Sequence, residues 1–333
     1  VPSFKTGTVD SLISERAGLQ RVTVDGERAY VLSRLIGPVA VGDQVVVNTT
    51  AVDLGLGTGG WHVVHWNLTR DAWDGPGGGH IMKLRYTSLQ ADTGAAEEAA
   101  DYDPPASLDG MPVVACALHS QVACVAAAFK AARPDKRLVY VMTDAGALPL
   151  ALSDLVADLR AAGLLDATVT AGQAFGGDHE AVNLPSSLDV ARACAGADAV
   201  IVATGPGVVG TGTRHGFSAL EVAAIVDAAG VAGAVPIVAL RYSDADPRER
   251  HRGISHHSTM ALAYAHEHAV VPIPRGEPRP PGVDVTEVDV PDVPVLLAQA
   301  GLHVTSMGRG PDDDPRFYAY AGAAGVAAAG QVP

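Results

Sequence analysis

Histidine, aspartate, arginine, threonine and glycine gather in five short stretches, each directly after an apolar run. The first is His119-Ser120-Gln121 and the second Thr143-Asp144. The third runs from Ala171 to Glu180 and contains Asp178 and His179. The fourth, residues 205–216, places Gly205, Gly207 and Gly210 in the spacing G-x-G-x-x-G, followed by Thr211 and Thr213. The fifth, residues 243–258, holds Arg248, Arg250, Arg252, His251, His256 and His257.

These residue types suit the capture of an anion. Backbone N–H groups of a glycine-rich turn before a helix attract phosphate or carboxylate. On this reading Gly205, Gly207, Gly210, Thr211 and Thr213 form the cradle. Arg250 and Arg252 clamp the ligand, since guanidinium binds such groups bidentately. His256 or His257 would serve as general acid or base, with His119 nearby and Asp178 orienting them or taking a divalent metal. The activity expected of such a site is hydrolysis or group transfer on a small anionic substrate. The alternative is a ligand-sensing or scaffold protein without chemistry.

Each motif has a plainer reading. A dinucleotide site needs the helix to begin at the third glycine and an acidic residue at a strand end about 20 positions on; both are missing. Thr211 stands where a phosphate-binding P-loop has lysine. The arginines of the fifth stretch could simply pair with Asp244, Asp246 and Glu249. No H-E-x-x-H occurs, and adjacent histidines on a helix point about 100° apart, so no spacing is diagnostic of a metal. Ser120 lacks the flanking glycines of a nucleophile elbow and reads as a helix cap.

The elements that must position these residues fall into two sets. Residues 1–100 read as short strands: Thr6–Ser14, Arg21–Val24, Glu27–Leu32, Gln44–Asn48, Trp61–Leu68 and His80–Leu89. Asp25-Gly26 suits a tight hairpin, and Gly55, Gly57, Gly59 and Gly60 form a loop. His62 and His65 alternate with Trp61 and Trp66 on a strand. Six strands with little helical period predict a small β-barrel-like domain, and Asp101–Pro105 reads as a linker.

From residue 107 to 333 the pattern is β-then-α. Strands are expected at Val113–Leu118, Leu138–Thr143, Ala167–Ala171, Ala199–Thr204 and Val235–Tyr242, with a further one at Val270–Ile273. Helices are expected at Ser120–Ala132, Pro149–Ala162, Ser187–Ala195, Phe217–Ala229 and Ser255–His268. The tail adds strands Val283–Val288 and Leu302–Ser306 and a final helix through Ala329. Such repeats give a doubly wound, mostly parallel, Rossmann-like α/β sheet with right-handed crossovers. The five polar stretches then share its carboxyl edge, where ligands bind. The order third-second-first-fourth-fifth would set His119 and Ser120 beside the Gly205 loop.

Bulk composition agrees. Hydrophobic residues make up 48% of 333 residues but aromatics only 5%, so the core is built of Ala, Val and Leu. The formal charge of −14 disfavours nucleic acid and anionic membrane as partners. No apolar run approaches the roughly 20 residues of a membrane span, and no signal peptide is legible, so the cytoplasm is the expected location. Cys116, Cys124 and Cys194 lie in apolar stretches and read as buried, reduced thiols. A small anionic ligand and a second copy of the chain are the expected partners.

Three stretches carry a resemblance: Ala174-Phe175-Gly176-Gly177-Asp178, residues 205–213, and Arg250 to His257. They resemble an actinobacterial family catalogued only as a domain of unknown function. The resemblance implies a bacterial cytoplasmic protein and no particular activity.

Overall fold

The structure is a computed structural model that describes residues 2–56 and 59–333. Gly57 of the expected loop lies outside them. The chain divides into two compact units, one ending at Gly94 and the other Ala95–Pro333.

The first unit is a closed barrel of five strands: β1 (Phe4–Arg16), β2 (Leu19–Val24), β3 (Glu27–Val31), β4 (Gln44–Asn48) and β5 (His62–Asn67), in the order β1-β2-β3-β5-β4. Alternation does the work. Val9, Val22, Val24, Ala29, Val31, Val45, Val47 and Val64 point inward and are buried. Asp25 and Gly26 take φ of 49° and 80°, the positive pair that a tight β2–β3 turn needs. Two register shifts along β1 bend it, so that it pairs with β4 at one end and β2 at the other.

The strand expected at His80–Leu89 does not form. Leu84 and Tyr86 take left-handed φ of 54° and 63°, which breaks an extended run. Only Met82–Lys83 and Ala91–Asp92 pair there.

The second unit is built on six parallel strands: β6 (Pro112–Cys116), β7 (Leu138–Thr143), β8 (Ala167–Ala171), β9 (His179–Ala181), β10 (Ala199–Thr204) and β11 (Val235–Ala239). Between and after them come α1 (Gln121–Ala132), α2 (Asp154–Ala161), α3 (Leu184–Ala193), α4 (Glu221–Val231), α5 (His256–Tyr264), α6 (Val293–Gln299) and α7 (Pro315–Gln331). One face of the sheet packs against α1, α2, α6 and α7, and the other against α3, α4 and α5. Burial on both faces is why β6, β7 and β10 read as continuous apolar runs.

The order is β9-β8-β7-β10-β6-β11, which corrects the expected one. The fourth strand of the sequence reading, β10, inserts between the second and the first, and His179–Ala181 adds an edge strand. The first and fourth strands are still neighbours, so the juxtaposition that mattered survives.

The tail also differs. Leu302–Ser306 is a loop, not a strand. Pro272–Pro274 pairs with Thr286–Val288, while Val270 only bridges to Ile237. The stretch read as a linker, Asp101–Pro105, belongs to the second unit, where Tyr102 packs against the core. Cys116 and Cys124 are buried, but Cys194, one residue past α3, is exposed. Among the described residues no helix is long and apolar enough to cross a membrane.

Candidate functional site

The carboxyl edge of the sheet carries two polar centres, and the residues expected to form one site, Asp178 excepted, are shared between them. The first lies where β6 and β10 end side by side. From β6 the chain leaves to α1 on one face; from β10 it leaves to α4 on the other. Ligand crevices open at such divergences. Gly205 is required here by close approach. A Cβ on it would stand 2.2 Å from the Ala147 carbonyl oxygen, and Ala147 N–H donates to Pro206 at 2.9 Å. This contact aims Gly207 and Val208 into a cavity of about 370 Å³ that His119, Ser120, Asp154 and Asp158 also line.

His119 is a linker inside this crevice. Its Nε2 lies 2.7 Å from Ser153 Oγ, and its Nδ1 lies 3.2 Å from both the Thr204 carbonyl and the Tyr140 hydroxyl. Ser153 in turn accepts from Val156 N–H and caps α2. Burial lowers the His119 pKa to about 4, so the ring is neutral at pH 7. A neutral ring is no general acid at pH 7, and both of its nitrogens are already engaged. Ser120 makes no cap bond to α1; its hydroxyl donates to Ser306 at 3.1 Å instead, because the 303–307 loop folds over it. Gln121 is buried and ties two strand ends together. It accepts from Leu118 N–H at 3.0 Å and donates to the Ala239 and Leu240 carbonyls at 3.0 and 3.1 Å.

The second centre lies beyond β11. Residues 210–217 close on themselves: Gly210 bridges Phe217, and Thr211 N–H donates to Gly216 at 2.8 Å. The Thr211 and Thr213 hydroxyls are 2.9 Å apart, and Thr213 Oγ1 accepts from Gly216 N–H at 3.1 Å. Those hydroxyls therefore serve the loop. Helix α4 starts only at Glu221, after a 3₁₀ turn, so its amino end does not back a phosphate cradle at Gly207–Gly210. The helix-backed cradle expected from the glycine spacing is thus corrected to a free-standing turn.

The fifth stretch meets that turn. Gly212 has φ of 84°, and a Cβ on it would come within 2.7 Å of Arg250 Nη1, so the guanidinium lies across the glycine. His256 Nε2 donates to the Arg214 carbonyl at 3.2 Å. Arg250 Nε donates to His251 Nε2 at 3.2 Å, His251 Nδ1 donates to Ser255 Oγ at 2.7 Å, and Ser255 caps α5 by accepting from His257 N–H. His257 stacks on Phe217 with ring centroids 3.9 Å apart, and its Nδ1 is a buried atom without a partner among the described residues. Burial lowers the pKa of His251 to about 4 and that of His257 to about 3, helped in each case by nearby cations. His257 is therefore a neutral packing ring and no general acid at pH 7. Arg252 turns away and donates to the Asp246 carbonyl at 3.1 Å.

Beneath this shelf sits a fully buried carboxylate. Asp246 accepts from Arg241 at 3.0 Å, from Arg248 at 2.9 Å and from Arg309 at 3.4 Å. Burial alone would raise its pKa, but the Arg248 hydrogen bonds and the surrounding cations hold it well below the usual carboxylate range. The pairing of arginine with Asp246 that the sequence left open is thus realised for Arg248 and not for Arg250.

Asp178 belongs to neither centre. It lies beside Thr168, near the amino end of β8, where it accepts from Thr168 N–H at 2.8 Å and pairs with Arg160. Burial raises its pKa, but these bonds outweigh burial and hold it low. Among the described residues no three His, Cys, Asp or Glu side chains converge as a metal site requires. The sequence reading missed Asp154, Asp158, His303 and Ser306 of the crevice. The first two, four apart at the start of a helix, were legible as one face; the last two were hidden by reading their loop as a strand.

No curated protein and no solved structure matches the chain. A family model does match, over residues 28–325, nearly the whole length and parts of both units, and the chain therefore belongs to the family described as DUF3866, protein of unknown function.

Proposed function

We propose that the second unit binds a small anion, phosphate- or carboxylate-bearing, on the shelf where Arg250 crosses Gly212. The sheet then works as doubly wound, Rossmann-like sheets do, with its ligand beyond the strand carboxyl ends. One observation carries the reading. Arg250 is exposed and spends only its Nε on His251; among the described residues neither it nor Arg214 makes an ion pair. The buried acids nearby are already satisfied, so the shelf keeps net positive charge in a chain whose total is −14.

Binding is favoured over turnover because the expected catalytic set is dispersed. His119 lies in the crevice, Asp178 at the far edge of the sheet, and His257 against Phe217; only His256 borders the shelf. Calorimetric titration with inorganic phosphate, pyrophosphate and citrate tests the proposal. A charge-assisted guanidinium contact contributes about 1.5–3 kcal/mol, so Arg250→Ala should weaken binding roughly tenfold or more. Equal affinity in the variant, or no binding of any of the three by the wild type, removes Arg250 from the site.

A further inference from the structure

The barrel carries an aromatic and cationic cluster on its outer face. Alternation turns Val22, Val24, Ala29 and Val31 inward, so Arg21 and Thr23 of β2 and Arg28 and Tyr30 of β3 face outward. Arg21 stands directly opposite Tyr30 across the ladder. Trp61, one residue before β5, stacks on Tyr30 with ring centroids 4.7 Å apart and planes inclined by 17°. The Arg28 guanidinium lies 4.9 Å from the Trp61 centroid, held there because its Nη2 donates to the Gly59 carbonyl at 2.7 Å. Arg21 lies 5.6 Å from the Tyr30 ring and 5.8 Å from the Trp61 ring. Both rings are only half-buried, and Arg28 is exposed.

The charge that disfavours nucleic acid for the whole chain is unevenly placed. Residues 1–94 hold eight Lys and Arg against nine Asp and Glu, so −13 of the net −14 falls on residues 95–333. The acids nearest the cluster have other partners. Asp10 accepts from Gly26 N–H at 2.6 Å and Asp25 from Thr8 N–H at 3.0 Å, while Glu27 pairs with Lys5. Glu15 is followed by Arg16 at the end of β1, which offsets it. We propose that this face binds single-stranded nucleic acid, a base stacking on the Tyr30–Trp61 pair and the flanking phosphates meeting Arg21 and Arg28. Aromatic rings take unpaired bases by stacking, and guanidinium suits both ring and phosphate. A duplex keeps its bases stacked inside and fits less well. An uncharged sugar chain can also lie on the rings, but it gives the two guanidiniums no counter-charge. The proposal does not depend on the anion shelf, so one can fail while the other stands.

The test is fluorescence anisotropy of the full chain with labelled strands of about twelve nucleotides, oligodeoxythymidine and oligouridine, and with a labelled duplex of the same length. At least one strand is expected to bind saturably and more tightly than the duplex. Two phosphate contacts give a log–log salt slope of about −1.4, a roughly sevenfold loss of affinity between about 50 and about 200 mM salt. Trp61→Ala should weaken binding about fivefold or more, and Trp61→Phe, which keeps a stacking ring, should restore most of it. Arg28→Gln should weaken binding and reduce the slope to about −0.7. Cross-strand contacts of this kind also stabilise a sheet, so thermal midpoints of Trp61→Phe and Arg28→Gln close to that of the wild type show that the barrel is kept. Trp61→Ala should leave the phosphate titration of the shelf unchanged. The proposal is overturned if neither strand binds, if the duplex binds as tightly, if Trp61→Ala binds as tightly as the wild type, or if maltoheptaose displaces the strand.

Discussion

Replacing Asp246 by asparagine should cost more stability than any other single change near the shelf. The carboxylate is fully buried and is shared by Arg241, Arg248 and Arg309. Without its charge the three guanidiniums do not suffer equally. Arg248 is 41% exposed and can turn to water. Arg309 keeps Asp314, to which its Nε donates at 3.2 Å. Arg241 is only 3% exposed and has no second carboxylate among the described residues; burial already lowers its pKa to about 10. The penalty therefore falls on Arg241. Removing one partner of a buried pair costs about 3–5 kcal/mol. In a unit the size of Ala95–Pro333 that is a fall of roughly 10 °C in Tm. Urea denaturation followed by circular dichroism measures it. The folded-state pKa of Asp246 is depressed, so its contribution is present above the unfolded carboxylate range and is lost only in strong acid. The deficit should accordingly be the same at pH 5.5 and pH 8. Adding Arg241→Met to Asp246→Asn should recover much of the loss, because an apolar side chain needs no counter-charge. A single-variant loss under about 1 kcal/mol, or a double variant no better than the single, would refute the assignment.

Three further outcomes follow from the same geometry. His119, His251 and His257 have folded pKa values below that of an unfolded histidine, so stability is full above about pH 6.5 and falls as pH drops toward 4. The loss is about 1.4 kcal/mol per pH unit for each ring that titrates. Urea midpoints at pH 7.5 and 5 should show this, His257→Phe should make the slope shallower, and a flat profile would contradict the burial of these rings. Gly205→Ala should destabilise by about 1–3 kcal/mol because the Ala147 carbonyl must move. Gly212→Ala should displace Arg250 and weaken phosphate binding, and its φ of 84° adds a backbone cost of about 1–2 kcal/mol; unchanged phosphate affinity in that variant would be inconsistent with the packing described. Gln121→Leu leaves a buried N–H and two carbonyls short of a partner and should cost about 2–4 kcal/mol in denaturant titrations; a near-neutral result would mean that water replaces the amide.

Local chemistry was legible from the residues because it acts over few positions. Asp25-Gly26 specified its turn, alternating valines specified the barrel strands, and apolar runs bounded by glycine specified the parallel strands. The carboxyl edge followed from the βα alternation, and with it the neighbourhood of His119, Ser120 and Gly207. What nearby sequence could not carry was decided by contacts between distant segments. The insertion of β10 between β7 and β6 depends on which apolar ladders pair, and several such runs are interchangeable by composition. Residues 210–217 bond to themselves instead of capping α4, so the anticipated single site divides. Gly207 stays with His119 in an acidic crevice, while Thr211, Thr213, Arg250 and His256 meet on a cationic shelf. The charge state of each histidine was equally out of reach. Sequence supplies an imidazole, but only the packing around it sets the cost of a proton, and burial keeps His119, His251 and His257 neutral.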